Sequence, residues 1–444
     1  MGTSRLKKAR PFVLQHINIP GHPYRPPTYA LAVAIQSKLQ QRLLDYKTAV
    51  AANAADLSRP PPTPPPPTIL SFTPAPTYTL GRRQTEPLSE AEEARLKGRL
   101  DIHWYKKKAV GNDHYYASFT PAIHTAPRGG LTTYHGPGQV VFWPVLDLKS
   151  PRHRHFSVRD YACLLEKTTK ASVAAAAAAA LPFFPSELVR QESIEGFTTE
   201  NPGVWVRRRQ VDGMDDEATK VGGDFVGPDG EERKIAALGV HLSRHVTGLG
   251  VAVNCSMPVR GAETLDPWRR IVACGLEGKR VTSLAYELLD YNRPLEWTKA
   301  LKPLRPLDSV NKNPGAAPRL ETEMLRSWPE IFARSIADPW FRPSSDSPLV
   351  VNSTLDEVLG KGWEKRTGIP EEEQYYIAER KPIVDPGVLS HRSSPYAQAL
   401  RTNAAAVRLL LLLSLAAAGY ACWAQSQNAP VPDGRPQRRI ISHL

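Results

Sequence analysis

The stretch from Arg128 to Pro144, RGGLTTYHGPGQVVFWP, crowds four glycines around two threonines, a tyrosine and a histidine. Glycine gives up the most backbone entropy on folding, so such a cluster implies unusual dihedrals or a ligand approaching the main chain closely. Arg128 adds a permanent planar cation, and His135 a ring that titrates near neutrality. A lone Gly-Pro-Gly reads as a hairpin connection. With Arg-Gly-Gly and Tyr-His within six residues of it, the stretch reads as a built substrate pocket. Covalent chemistry needs a nucleophile, and the cysteines are the candidates. Cys163, Cys255, Cys274 and Cys422 lie far apart with no CxxC pair, so they form neither a disulfide framework nor a zinc site. Each is then a chemical or a packing residue. Taken alone, Cys274 before Gly275 reads as packing, and Lys234, closing the charged run Glu231-Glu-Arg-Lys, as a solvated end-of-strand charge.

Hydrophobic periodicity supplies the elements that must position these groups. Val13–Ile19 alternates as a strand, and Tyr29–Leu44 places Leu31, Ile35, Leu39 and Leu43 at helical spacing. Arg59 to Pro67 is a polyproline spacer. Ile69–Leu80 reads as one strand, Glu86–Arg99 as a solvated helix, and Val140–Trp143 as a buried strand. Val158–Ala180 reads as a long helix ending in seven alanines, a segment with high propensity, little to pack and no function of its own. Gly203–Val206, Lys234–Val240 and Gly248–Asn254 read as strands, Arg207–Arg233 as a charged loop, and Ser283–Asp290 as a helix.

The chain has 444 residues, a net charge of +13 and 42 prolines. The charge suits an acidic partner such as a carrier protein. No zinc-finger spacing, RNP-like aromatic pattern or recognition helix supports nucleic acid. Seven Lys/Arg precede the first acid, Asp45, an acid-poor bias like that of a mitochondrial transit peptide, although Pro11 cuts the presequence short at Met1–Arg10. Leu409–Ala424 is a 16-residue uncharged run, shorter than the roughly 20 apolar residues of a membrane span. Contact with a membrane through 404–424 is not favoured.

Three separated segments, RGGLTTYHGPGQ, Lys234-Ile-Ala-Ala-Leu-Gly239, and Ile271-Val-Ala-Cys-Gly275 followed by Val281-Thr-Ser-Leu284, together resemble the lipoyl(octanoyl)-protein transferases of lipoate biosynthesis. Tyr78-Thr-Leu-Gly-Arg82 and Gly203-Val-Trp-Val206 fall in the family's order before and between them. The resemblance implies an α+β fold, a mixed, mainly antiparallel sheet flanked by helices of the biotin/lipoate ligase kind. It implies a catalytic domain over 12–302 with inserts near 46–67, 84–115 and 207–231, after a short targeting segment at 1–11. An extension of unassigned role then follows at 303–400, and a hydrophobic segment with a basic tail at 401–444.

By the same resemblance, octanoyl passes from acyl carrier protein to a lysine of a lipoyl domain, the first step of endogenous protein lipoylation. The acceptors are the 2-oxoacid dehydrogenase complexes and the glycine cleavage H protein, on the matrix side of mitochondria. No cofactor, metal or nucleic acid is involved. Cys274 matches the residue that carries the acyl thioester, and Lys234 the lysine beside it. Arg128, Gly129, Gly130, Leu131, Thr132, Thr133, Tyr134, His135, Ala237, Leu238, Gly239, Gly250, Val251 and Ala252 match the wall of the acyl site.

The chemistry agrees with that assignment. A thiol of pKa near 8.5 is only about 3% thiolate at pH 7, and a neighbouring ammonium that lowers it to about 6.5 gives a gain of roughly 25-fold in nucleophile. The residues alone leave open whether Lys234 is that cation or a base, and His135 reads equally as an orienting donor or a structural ring. Two positions depart from the family: Leu249 stands where a histidine is usual, and Ala273 where a proline commonly precedes the cysteine. Two rival readings remain, an inactive scaffold that binds carrier or lipoyl domains and an ATP-dependent lipoate ligase. No Walker-type loop supports the second.

Overall fold

The computed structural model describes residues 12–19, 26–54, 60–107, 112–181, 194–207, 231–275, 278–288, 320–337 and 349–363. The targeting segment, most of the 207–231 insert, the end of the helix expected to reach Asp290, and the hydrophobic segment with its tail lie outside them. No helix among the described residues is long and apolar enough to cross a membrane.

One sheet organises the fold. Its strands are β1 (Leu14–Asn18), β2 (Thr68–Phe72), β8 (Gln139–Val145), β9 (Gly196–Phe197), β10 (Gly203–Arg207), β11 (Glu232–Ser243), β12 (Val246–Asn254), β13 (Arg280–Val281) and β14 (Val350–Asn352). The order is β14-β1-β2-β8-β12-β11-β10-β9, with β13 beside β11. The β14–β1, β1–β2 and β11–β13 pairs are parallel and the remainder antiparallel. This is the expected mixed, mainly antiparallel α+β sheet. Strands β3 (Thr77–Leu80), β6 (Ala122–Thr125) and β7 (Thr133–His135) make a second small sheet, and β4 (Leu100–Lys107) with β5 (Asn112–Phe119) a separate ribbon. The single strand expected over 69–80 is two strands, because Pro74 and Pro76 interrupt the ladder.

Helix α1 (Tyr29–Asn53) covers one face, and α3 (Val158–Ala180) with a later helix covers the other; a short α2 (Glu90–Leu96) precedes β4. Leu31, Ile35, Leu39 and Leu43 of α1 are buried as their spacing demands. Helix α1 runs nine residues beyond the expected end at Leu44, with its last turns largely exposed, so no buried stripe marks them in the sequence. Helix α3 begins at a capping box in which Ser157 and Asp160 satisfy each other's amides, and it spans the residues expected of it.

The alanine run is not idle. Ala176, Ala177 and Ala180 are buried in the core shared with the later helix α5 (Leu320–Ile336), because methyl side chains allow two helices to approach closely. After the short α4 (Leu284–Leu288), α5 packs on the α3 face through Trp328 and Phe332, β14 extends the sheet beyond β1, and α6 (Leu355–Leu359) places Val358 in the α1-side core. Part of the 303–400 extension is therefore core.

Candidate active site

The Arg128 loop joins β6 to β7 and is closed by its own arginine. The Arg128 Nη1 donates to the carbonyls of Gly129 (3.0 Å) and Leu131 (2.8 Å), and Nη2 donates to Thr79 O (2.6 Å) and Thr79 Oγ1 (2.7 Å). With four oxygens around it and little exposure, this guanidinium shapes the loop. Gly130 has φ +84°, the left-handed region that favours glycine, and a side chain on Gly81 would meet Gly130 O at 2.3 Å. A side chain at Gly129 would meet nothing within 4 Å, so the loop opens onto free space there. Within the motif, Thr133 Oγ1 is buried with no hydrogen-bond partner among the described residues.

His135 closes β7 and starts a buried relay. Its Nδ1–H is assigned by the network as donor to Gln139 Oε1 (2.8 Å); Gln139 Nε2 donates to Asn254 Oδ1 (2.9 Å), and Asn254 Nδ2 to Thr282 O (2.9 Å). The ring stacks on Tyr29 at 5.3 Å. Burial lowers its pKa from 6.5 to about 4, against the pull of the Gln139 bond, and Arg128 pushes the same way as burial. The ring is thus neutral at pH 7.

Because the folded ring titrates below the unfolded one, the unfolded chain takes up more protons between pH 6.5 and 4. Stability is complete above that window and falls as pH drops through it, by about 3 kcal/mol at pH 4 from this ring. His16, also buried and lowered to about 4, shares the window. The urea midpoint should therefore fall steeply from pH 7 to pH 5, and His135→Gln should remove a clear part of that fall, the rest coming from His16 and from His124 and His153, which burial lowers in the same direction. An unchanged slope in the variant would contradict it.

The β11–β12 hairpin supplies the facing wall, with Ala237 opposite Ala252, Leu238 opposite Val251 and Gly239 opposite Gly250. Ala252 lies in the α1-side core, and a side chain at Gly239 would strike Arg128 Cδ at 2.8 Å, so the Arg128 loop lies on this face. At Gly250 even a methyl would meet Phe142 O at 2.2 Å. Leu238 and Val251 point the other way, into the core under α3, so only their main chain can serve this face.

Leu249 has φ +58°, a strained conformation for leucine inside a strand. Alternation would turn it toward α3 with Val251 and Val253. The left-handed turn packs it in the α1-side core instead, and Gln36 Oε1 accepts its N–H at 3.1 Å. It borders a cavity of about 80 Å³ lined also by Tyr29, Gln36, His124 and His241.

Lys234 joins that face through an irregularity. The β10–β11 register steps from Val204 opposite Ala236 to Trp205 opposite Lys234, which leaves Ile235 as an unopposed bulge residue. Ile235 and Ala236 both enter the core under α3. The slip brings Lys234 onto the side of Ala237 and Gly239, whereas strict alternation would separate them. Its Nζ donates to Pro202 O at 3.1 Å and lies 4.7 Å from the centre of the Trp205 ring, with the residue 6% exposed.

Cys274 sits in a short 3-10 turn, Ala273–Gly275. Gly275 has φ +72°, and a side chain there would strike Leu131 Cδ1 at 2.4 Å, so the turn is seated on the Arg128 loop. Soon afterwards β13 pairs in parallel with Arg233 and Lys234, and Thr282 N–H donates to Lys234 O at 2.9 Å. The buried Arg233–Glu287 ion pair, two bonds of 3.1 and 3.0 Å, anchors the same junction. The chain thus ties the turn to both walls. Cys255, the rival nucleophile, is fully buried, and burial raises its thiol pKa well above 9, with Glu321 adding to the rise; it stays protonated.

A family model, the lipoyl protein ligase A/B catalytic domain, matches residues 45–300. The chain belongs to that family. The match takes in the Arg128 loop, the hairpin, Lys234 and Cys274, the same parts that the geometry draws together. Among curated relatives of this lipoyl protein ligase A/B member, the probable octanoyltransferase of Schizosaccharomyces pombe is 32% identical over 257 residues, 58% of this chain and 80% of that protein. The mitochondrial octanoyl-[acyl-carrier-protein]:protein N-octanoyltransferase of Danio rerio is 32% identical over 213 residues, 48% of this chain and 64% of that protein. The octanoyltransferase of Acidobacterium capsulatum is 33% identical over 190 residues, 42% of this chain and 61% of that protein.

Gln139, Asn254, Thr79 and Trp205 are site residues that the sequence does not single out. Trp205 stands within a recognised motif, and Gln139 four residues after His135, but neither pattern reveals what a side chain touches.

Proposed function

We propose that this chain is an octanoyltransferase that takes octanoyl from acyl carrier protein onto Cys274 and delivers it to a lysine of a lipoyl domain. The thiolate attacks the carrier thioester, the carrier sulfur leaves as a thiolate that takes up the proton Cys274 gave up, and the acyl group rests as a thioester on Cys274. The acceptor amine then attacks the carbonyl, forms the amide, and restores the thiol. The carrying observation is the Ile235 bulge, which places Lys234 on the face of the small-residue wall while the Cys274 turn rests on Leu131. A small-residue wall suits a saturated chain lying close to the strands. The relatives' names support the same activity, and several mitochondrial ones support placement in mitochondria. The matrix side is the proposed compartment. Lipoyl domains of the 2-oxoacid dehydrogenase complexes and the glycine cleavage H protein are the proposed acceptors.

Intact-mass measurement after incubation with octanoyl-acyl carrier protein, without nucleotide, tests this directly. One octanoyl adduct on the protein is expected, discharged on adding a lipoyl domain. Carrier binding without an adduct would replace the transferase with a scaffold, and modification only in the presence of ATP would replace it with a ligase.

A further inference from the structure

Pro202 and two residues of β10, Gly203 and Trp205, are shaped around a single ammonium. The carbonyl of Pro202 accepts from Lys234 Nζ at 3.1 Å, and the Trp205 indole presents its face 4.7 Å from the same nitrogen. Between them Gly203, at φ +133°, leaves room for the lysine stem: a side chain there would lie 3.3 Å from Lys234 Cε and 2.4 Å from Ala236 O. The cradle is itself held, since Gly203 N–H donates to Glu166 Oε1 at 3.0 Å and Trp205 Nε1–H to Asn201 O at 3.0 Å. Trp205 is 1% exposed, so this ring face is shielded from water, where a cation–π contact is strongest.

We propose that Trp205 is a positioning residue for acyl transfer, its indole face and the Pro202 carbonyl holding Lys234 as an ammonium to serve the Cys274 thiol. This rests on the transferase reading and deepens it, for a carbonyl acceptor and a ring face both favour the charged lysine over the neutral amine. Lys234 then serves as the cation that stabilises the Cys274 thiolate, with any role as a base confined to the later step.

The elements adjoining this lysine carry Glu166 on α3, Glu232 and Arg233 on its own strand, Arg280 on β13 and Glu287 on α4. Arg233 is paired with Glu287, Glu232 with Arg207 and Lys279, and Arg280 with Glu231. Glu166 is engaged with Gly203. Removing the indole therefore changes the environment of the ammonium without removing one of these charges.

The test is the pH profile of Cys274 alkylation by iodoacetamide in the full-length protein, read by peptide mass mapping. The variants are Trp205→Leu, and a ring-fluorinated tryptophan placed at 205 that keeps the shape while weakening the ring face. The expected result is a profile moved to higher pH by roughly half to one unit in Trp205→Leu, with alkylation roughly three- to ten-fold slower at pH 7 and equal to the parent above pH 9.5. The fluorinated protein should fall between the two, and it carries the test if the leucine variant does not fold. A profile left in place, or a loss of the same factor at every pH, would overturn the proposal. Alkylation needs no octanoyl donor. A parent protein that never forms the octanoyl adduct would thus defeat the transferase reading while leaving the cradle to be judged on its own.

Discussion

Cys274→Ala is expected to leave no octanoyl adduct and no transfer, and Lys234→Ala to slow adduct formation by roughly 25-fold at pH 7 but only a few-fold at pH 9.5. The first follows because Cys255, a buried thiol just after β12, is held protonated by its surroundings and cannot substitute. The second follows from the fraction of thiolate. If the ammonium lowers the thiol pKa from about 8.5 to about 6.5, its removal returns the thiolate at pH 7 from roughly three quarters to about 3%. At pH 9.5 both proteins are almost wholly thiolate, and that part of the loss disappears. The few-fold that remains would measure the lysine's help in delivering a proton to the departing carrier sulfur. Single-turnover rates with octanoyl-acyl carrier protein at the two pH values check this, and an equal loss at both would exclude thiolate stabilisation as the role of Lys234. Lys234→Arg keeps a cation but replaces a point charge by a fork that the Pro202–Trp205 cradle does not fit, so partial rescue at most is expected.

Much of this site is legible in the amino-acid sequence, and what escapes it has physical reasons. The Arg-Gly-Gly and Gly-Pro-Gly turns announce a backbone pocket because only special dihedrals or close approaches need so many glycines, and Gly130, Gly138 and Gly275 do have positive φ. Helix α3 is readable end to end, since Ser157 caps it and its apolar stripe is long. Lys234 is a different matter. By plain alternation it belongs to the face opposite Ala237 and Gly239, and only the bulge at Ile235 reverses that. A bulge is a property of two paired strands, so one strand's sequence does not encode it visibly. The β4–β5 ribbon is hidden although Leu100, Ile102 and Trp104 alternate, because charged residues at its ends read as a solvated connection. The alanine run looks idle in sequence because its packing partner, α5, lies about 150 residues later in the chain. Leu249 carries its family departure openly, but the left-handed turn that buries it on the α1 side does not show in sequence.

Trp328→Ala is expected to cost about 3–5 kcal/mol of stability, a large share of the roughly 5–15 kcal/mol that holds a typical domain folded. The indole is fully buried, stacked on Phe142 at 4.6 Å and 7° and on Phe332 at 5.0 Å, and its Nε1–H donates to Thr169 Oγ1 at 3.0 Å. Its removal would open a cavity between α5 and β8, and β8 is the strand that leads out of the His135 loop into the centre of the sheet. Trp328→Phe keeps the stacking and loses the donor, and should cost about 1 kcal/mol for the hydrogen bond plus a smaller cavity term. Urea denaturation of the three proteins at pH 7 measures both differences. A change below about 1 kcal/mol in the alanine variant would mean that α5 is not docked on the sheet. The same contacts bear on where the catalytic unit ends. Ser256 Oγ donates to Glu321 at the start of α5, and β14 covers the open side of β1, so the site-bearing end of β12 and the sheet edge both lean on residues after 302. Cutting the chain at 302 would bare Phe142, Val173 and Ala177 together, a larger loss than any single substitution in that core. A truncated protein should therefore fail to bind its acyl donor through unfolding, even though Lys234, Cys274 and the Arg128 loop all lie within it.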